Sequence, residues 1–328
     1  MGMGLAAIET FELTKVYSRL VAVDGLNMSV PERVCFGFLG PNGAGKTTTM
    51  KMLVGLAPPS DGTATVMGWD IRCEMEKVRD VIGYMPEFTP KPKEKALDHL
   101  VTLASFNSLR DRRSLKKQAE TLLEEFGLWE VRNKKVSSFS MGMFKKWLLA
   151  NALMGDPEVI FLDEPTANLD PVARVEILEM IRKLGRERTV FLNSHVLPEV
   201  ERVADHVAVI HKGRLIAQES IRNLRNLVRR KRYVYAVRSD KDEELAEFLQ
   251  ASKAALEVSF SGDGVRVATK SPKMLWFQLN RAFREIGVIV YEFKELSRSL
   301  EDVFMALIEG GGGEHVGSET ARNGDVKI

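Results

Sequence analysis

The chain has 328 residues, 45% of them hydrophobic, enough to bury a large core and to hold more than one domain. Its 47 basic and 45 acidic side chains leave a net charge of +2, which argues against a dedicated nucleic-acid binder. The two cysteines, Cys35 and Cys73, stand far apart without CxxC spacing; they give no disulfide framework or zinc site and fit a reducing compartment.

No apolar run approaches the ~20 residues that cross a bilayer. The start, "MGMGLAAIETFELTK", lacks the basic segment and apolar core of a secretion signal. These features predict a soluble cytoplasmic protein. In chain order, "VCFGFLG" (Val34 to Gly40) reads as a buried strand, and after a glycine-rich turn "KTTTMKMLVGL" reads as a helix stopped by Gly55 and Pro58-Pro59. A charge-rich middle, roughly Lys93 to Met154, carries apolar residues at helical spacing. Two buried strands follow, "VIFLD" from Val159 and "TVFLNSH" from Thr189, separated by an amphipathic helix ending at Gly185. "HVAVIHKGRLIAQ" reads as a final hairpin turned at Lys212-Gly213. Strands alternating with helices predict an α/β sheet with the middle helices as an inserted subdomain.

Composition then shifts. Arg222, Arg225, Arg229, Arg230, Lys231 and Arg232 make a basic segment, read as a solvated linker helix over a contact with anionic lipid. Beyond it, Tyr233, Tyr235 and Val237 alternate as in a strand. Leu245, Phe248 and Leu249 mark a helix, and "ALEVSFSGDGVRVAT" a hairpin with Gly262 and Gly264 in its turn. Leu275, Leu279, Phe283 and Ile286 mark a second helix closed by Gly287, and "VIVYEF" a strand. A last helix begins at Ser299, with Asp302 completing a capping box and Leu300, Val303, Phe304 and Leu307 as its apolar stripe. The order βαββαβ plus a helix matches a small α+β ferredoxin-like domain. The tail after residue 309 is predicted to be disordered.

The chemistry is concentrated in the first part. "GPNGAGKTT" comprises Gly40, Pro41, Asn42, Gly43, Ala44, Gly45, Lys46, Thr47 and Thr48, and fits G-x-x-x-x-G-K-[ST] between a strand and a helix. A chain this long meets that pattern by accident with a probability of about one percent. Its glycines let backbone N–H groups converge on phosphate oxygens at the positive end of a helix. Lys46 would bridge the β- and γ-phosphates and the Thr47 hydroxyl would ligate Mg²⁺. "VIFLDE" delivers Asp163, to hold Mg²⁺ directly or through water, and Glu164, to orient or deprotonate the attacking water. His195 ends another buried strand on the same edge. It is read as a γ-phosphate contact, with a backbone-bonded strand cap as the bland alternative.

The ordered set "GPNGAGKTT", "GYMPE", "FSMGM", "VIFLDEP", "ANLD" and "NSH" resembles the ATP-binding subunits of ABC transporters over roughly the first two-thirds of the chain. The resemblance implies a P-loop NTPase cassette over residues 1–220, with a mixed sheet core, a β subdomain and a helical subdomain at about 88–155. A basic linker (221–232), the α+β accessory domain (233–309) and the tail (310–328) follow. The family's signature loop, usually LSGGQ, falls on Ser140, Met141, Gly142 and Met143 after Phe139. In the family two subunits pair head to tail, and each offers this loop in trans to the γ-phosphate held by the other. Met141 replaces the first glycine, where any side chain resists φ > 0.

Other positions carry over singly. Tyr17 matches the aromatic that stacks on adenine, with a buried strand residue as its alternative. Glu87 stands where the family usually has Gln, touching Mg²⁺ and the attacking water. Asp170 matches the loop that crosses the dimer seam. The ending "SLEDVFMALIE" resembles that of ATPases serving type 2 ABC exporters. The resemblance therefore implies an ATP-hydrolysing motor that uses Mg²⁺, drives a separate membrane permease, and pairs with a second ATP-binding subunit, a homodimer being favoured over a heterodimer. It implies no nucleic-acid partner and a cytoplasmic place on the inner face of the membrane through the permease. The competing reading is a soluble non-transport ABC ATPase acting on ribosomes or DNA. Such relatives usually carry two cassettes or a long coiled coil, and this chain shows one phosphate loop and no extended heptads. A GTPase switch lacks its N-K-x-D, since Asn133-Lys134 is followed by Lys135-Val136.

Overall fold

A computed structural model describes residues 6–107, 111–223, 233–252, 254–261 and 264–296. They divide into two compact units with the break between Ile221 and Arg222. Most of the basic segment, Gly262 of the hairpin turn, the helix from Ser299 and the tail lie outside the described residues.

The first unit is built on two sheets. An antiparallel sheet contains β1 (Ala6–Tyr17), β2 (Leu20–Pro31), β4 (Asp61–Val66) and β5 (Trp69–Asp70), in the order β2-β1-β4-β5. Alternation along β1 is hard to see in the sequence because a bulge interrupts it. Ile8 and Thr10 point inward, Phe11 and Glu12 outward, and Leu13 inward again. Register with β2 shifts between Thr10 and Leu13, and Glu12 takes φ 48°.

The second sheet contains β3 (Cys35–Leu39), β6 (Ile82–Met85), β7 (Val159–Asp163), β8 (Thr189–Ser194), β9 (His206–His211) and β10 (Arg214–Ser220). Its order is β10-β9-β3-β8-β7-β6; every pairing is parallel except that of β9 with β10. β3, β7 and β8 are buried along their whole length, as their unbroken apolar runs predict for parallel strands covered on both faces. Phe191 stacks against Phe36 and packs on Phe38 and Phe161 at the centre of the sheet. One apolar core joins this layer to Ile8, Leu13 and Leu26 of the other sheet.

Helix α1 (Lys46–Leu53) follows β3, and α2 (Met75–Val81) precedes β6. The inserted middle forms α3 (Ala96–Asn107), α4 (Arg112–Glu125) and α5 (Met141–Leu153). Asp111 caps α4 by accepting from Arg113 N and Ser114 N. The Trp147 indole donates to Ala96 O at 3.1 Å and so ties α5 to α3. Helices α6 (Pro171–Leu184) and α7 (Leu197–Val203) flank β8 in the chain. Among the described residues no helix is long and apolar enough to cross a membrane.

The second unit runs β11 (Tyr233–Ser239), α8 (Asp242–Ala251), β12 (Glu257–Ser261), β13 (Gly264–Thr269), α9 (Pro272–Ile286) and β14 (Val290–Glu295). Its antiparallel sheet has the order β12-β13-β11-β14, the topology of a ferredoxin-like split βαβ. Gly287 closes α9 at φ 68°. The buried stripe of α9 is Leu275, Gln278, Leu279 and Ala282. Phe283, placed in that stripe by spacing alone, is 60% exposed because the stripe drifts through Ala282 toward Ile286.

Candidate functional site

The carboxyl ends of β3, β7 and β8 converge, and the chain beyond each of them supplies one part of a cleft. After β3 the loop Gly40–Gly45 turns directly into α1. Gly45 caps that helix at φ 106°, and a Cβ there would meet Ala22 O at 2.5 Å, so glycine is required on both counts. Lys46 folds back over the loop, its ammonium donating to Gly40 O at 2.8 Å and Pro41 O at 3.2 Å. Burial lowers the Lys46 pKa, opposed by the carboxylates of Glu164, Asp163 and Glu87.

The register of β7 with β8 sets Asp163 beside Asn193. The Asn193 amide donates to Asp163 Oδ1 and reaches Thr47 Oγ1 at 3.5 Å, while Thr47 Oγ1 stands 3.5 Å from Asp163 Oδ1. Asn193 Oδ1 is buried without a hydrogen-bond partner. Burial pushes the Asp163 carboxyl up, helped by Glu87 and Glu164 and opposed by hydrogen bonds from Asn193 and Thr47. Glu164, next in the chain, takes φ 45°, a left-handed conformation disfavoured for a side chain of its size. Its N–H donates to Asn193 O at 2.9 Å, and its Oε1 lies 2.8 Å from His195 Nδ1.

A cleft of about 530 Å³ is lined by Lys46, Thr47, Glu164 and His195 of this group, and not by Asp163 or Asn193. Tyr17, Leu20, Val21 and Ala22 form one wall with Lys212 beside it, residues between Asn42 and Thr48 the floor, and Glu87, Glu164 and His195 the far rim. Tyr17 is 44% exposed, which rules out a buried strand residue. Lys212 and Gly213 turn the β9–β10 hairpin at φ 48° and 81°, and Gly213 N–H donates to Ala44 O at 2.9 Å, bracing the phosphate loop from outside.

The comparisons with known proteins bear on this cleft. The family described as ABC transporter matches residues 23–167. The bacitracin transport ATP-binding protein BcrA of Enterococcus faecalis is 35% identical over 309 residues, covering 93% of this chain and 97% of that protein. The chain belongs to the ATP-binding subunits of ABC transporters. The daunorubicin/doxorubicin resistance ATP-binding protein DrrA of Streptomyces peucetius is 34% identical, covering 92% of each chain. A solved ATP-binding subunit of an ABC transporter superposes with a TM-score of 0.61 at 26% identity, covering 68% of this chain and 93% of that one. This ABC subunit is therefore an ATPase of the exporter type, and such subunits work with a membrane permease.

The loop that resembles the family's signature sits elsewhere. Ser140 caps α5, its hydroxyl accepting from Met143 N at 3.2 Å. Met141 opens the helix and is absent from the residues with positive φ, so substitution of glycine imposes no backbone strain here. Ser140 to Met143 are not among the residues that line the cleft. Asp170 caps α6, accepting from Val172 N and Ala173 N at 3.0 Å each.

Three groups around the site escaped the sequence reading. Asn193 lies inside "NSH", but its place between Thr47 and Asp163 depends on a strand register no local pattern reveals. Lys145 is 2% exposed on α5, where a lysine within an almost wholly buried helix was the available signal. Glu199, 5% exposed on α7, accepts from the Thr166 hydroxyl and pairs with Arg174 Nε at 3.3 Å. It thereby links the turn after Glu164, helix α6 behind Asp170 and the helix behind His195.

Proposed function

We propose that this ATPase works as half of a nucleotide sandwich, closing with a second subunit over Mg-ATP and reopening after hydrolysis to drive its permease through an export cycle. The observation that carries the reading is the separation of parts. Phosphate loop, Glu87, Glu164 and His195 line one cleft, while Ser140 to Met143 do not. A helix cap aimed at no ligand of its own chain is suited to the γ-phosphate of a partner.

The residues present fit a magnesium ion. A hydroxyl and a buried carboxylate crowded by two others meet where the phosphates would end, with the Asn193 amide group bonded to both. Among the described residues no group of three or more His, Cys, Asp or Glu side chains could hold a metal, but a site completed by phosphate oxygens and water needs none. Held by Thr47, Asp163 and Glu87, Mg²⁺ would neutralise charge on the β- and γ-phosphates.

The loop from Gly40 to Thr48 cradles the phosphates by its N–H groups, and Lys46 exchanges its loop carbonyls for their oxygens. Tyr17 stacks on the adenine ring. Glu164 orients a water and takes its proton as the water oxygen bonds to the γ-phosphorus; the bond to the β–γ bridging oxygen breaks and ADP departs with the electron pair. His195 Nδ1 holds Glu164 in place, leaving Nε2 for the γ-phosphate. Asp170 sits at the seam between subunits.

The pairing partner is a second copy of this chain in preference to a different cassette, and the pair sits on the cytoplasmic face of the membrane through the permease. The relatives named for bacitracin transport and for daunorubicin/doxorubicin resistance support a cargo of that kind. The test is the mass of the Glu164→Gln protein by light scattering, with and without Mg-ATP. A dimer that forms only with Mg-ATP supports the sandwich. A monomer that binds ATP under the same conditions refutes self-pairing.

A further inference from the structure

Lys145 belongs to α5, beyond the loop at Ser140, and its side chain is withdrawn from solvent. Its ammonium donates to two main-chain oxygens, Glu87 O and Glu164 O, both at 3.2 Å. A buried ammonium is costly to desolvate, and stability alone is weak ground for keeping one. Its position therefore asks for another reason.

That reason lies in the acceptor. Glu164 is held at φ 45°, and a bulky residue stays there only when its surroundings over-determine it. The N–H of Glu164 is fixed by Asn193 O at 2.9 Å, and its carbonyl by Lys145. The two bonds grip the peptide groups on either side of the Cα that carries the carboxylate. The second bond of the ammonium ties the same turn to the main chain at Glu87, the other acidic residue on the far rim of the cleft. Burial lowers the Lys145 pKa, opposed by the carboxylates of Glu87, Asp163 and Glu164, so the charge on this clamp is answered by the side chains it arranges.

We infer that Lys145 is a positioning residue, a clamp that holds the left-handed turn at Glu164 and ties it to the Glu87 loop so that the carboxylate faces the attacking water. The inference rests on Glu164 as the catalytic carboxylate. It has consequences that a packing role does not share. Lys145→Met removes the donor at nearly constant volume, and a carboxylate misplaced by about 1 Å loses on the order of 10²-fold in rate. The phosphate loop is untouched, so ATP affinity should stay within about threefold of wild type while single-turnover hydrolysis falls about 10- to 100-fold. Removal of the donor strands two carbonyl oxygens, so a moderate fall in melting temperature accompanies Lys145→Met, and rates are compared well below it. Lys145→Gln keeps an N–H donor and should recover part of the rate.

The deciding measurement is a cycle with Glu164→Gln in the full chain, read by single-turnover hydrolysis and by calorimetric ATP affinity. If the clamp acts through Glu164, Lys145→Met should slow the Glu164→Gln protein less than about threefold further. An undiminished loss in that background overturns the inference, as does a fall in ATP affinity matching the loss of rate. Should Lys145→Met fail to fold, it is overturned as well, and Lys145→Gln serves to confirm that the lysine is structural. Failure of the underlying reading is seen separately, as wild-type turnover by Glu164→Gln alone.

Discussion

Two glycines in one loop, Gly43 and Gly45, give a sharp test of how the phosphate cradle is held. Both have positive φ, 78° and 106°, but their surroundings differ. A Cβ on Gly43 would meet nothing within 4 Å, whereas one on Gly45 would meet Ala22 O on β2 at 2.5 Å. Alanine at Gly43 therefore incurs only the left-handed conformation, about 1–2 kcal/mol. Alanine at Gly45 incurs that and must also move main chain by about 0.9 Å to restore a 3.4 Å contact, an overpacking cost of about 1–3 kcal/mol. At about 1.4 kcal/mol per tenfold, Gly43→Ala should weaken ATP binding roughly tenfold and Gly45→Ala roughly a hundredfold or more. Calorimetric titration with ATP at fixed salt measures both, and thermal melting shows how much of the strain is already felt without ligand. Equal losses at the two positions would refute the reasoning. The controlling space would then be that of the phosphates over the loop, and not the close approach of β2 beneath it.

Two further outcomes follow from buried carboxylates. Burial, with Glu87 and Glu164, holds Asp163 above its ordinary range against the bonds from Asn193 and Thr47. A carboxyl raised in the folded state favours its proton, so stability is lost as pH rises from the ordinary aspartate value through the raised one. Asp163→Asn should raise the melting temperature of the metal-free protein above that window and flatten its pH dependence while hydrolysis collapses; a lower melting temperature there contradicts the assignment. Glu199→Ala strips a buried acceptor from Thr166 and Arg174 and should cost about 1.5–3 kcal/mol in urea denaturation. A cost under about 0.5 kcal/mol would mean the three segments are joined by packing alone.

The parts of the fold that were legible in the sequence are those whose information is local. "VCFGF", "VIFLD" and "TVFLN" carry their burial in unbroken apolar runs, and their strands are buried throughout. The phosphate loop announces itself because glycine is demanded at fixed offsets. β1 and β2 were obscure, since the bulge at Glu12 breaks alternation and Glu9 and Lys15 supply charge on the outer face. Met141 invites concern as a replaced glycine, yet the position lies in a helix, where methionine is at ease. The role of Asn193 was hidden because it is a property of register between β7 and β8, thirty residues apart. Lys145 was hidden because a charge in the sequence is read as solvent-facing unless something says otherwise.

The wall of the cleft formed by Tyr17, Leu20, Val21 and Ala22 also bears on what the proposed nucleotide site would discriminate. With Tyr17 stacked on the base as proposed, an aromatic face and three aliphatic side chains would grip its flat surface and leave its edge unread. No side chain in that wall accepts from the amino group of adenine or donates to the oxo group of guanine; the one polar atom, the Tyr17 hydroxyl, can do either. Selectivity among nucleoside triphosphates requires buried polar groups left stranded by the wrong base, and such groups are missing from these side chains. An engine with such a wall would recognise the length of a phosphate chain and take its fuel by abundance.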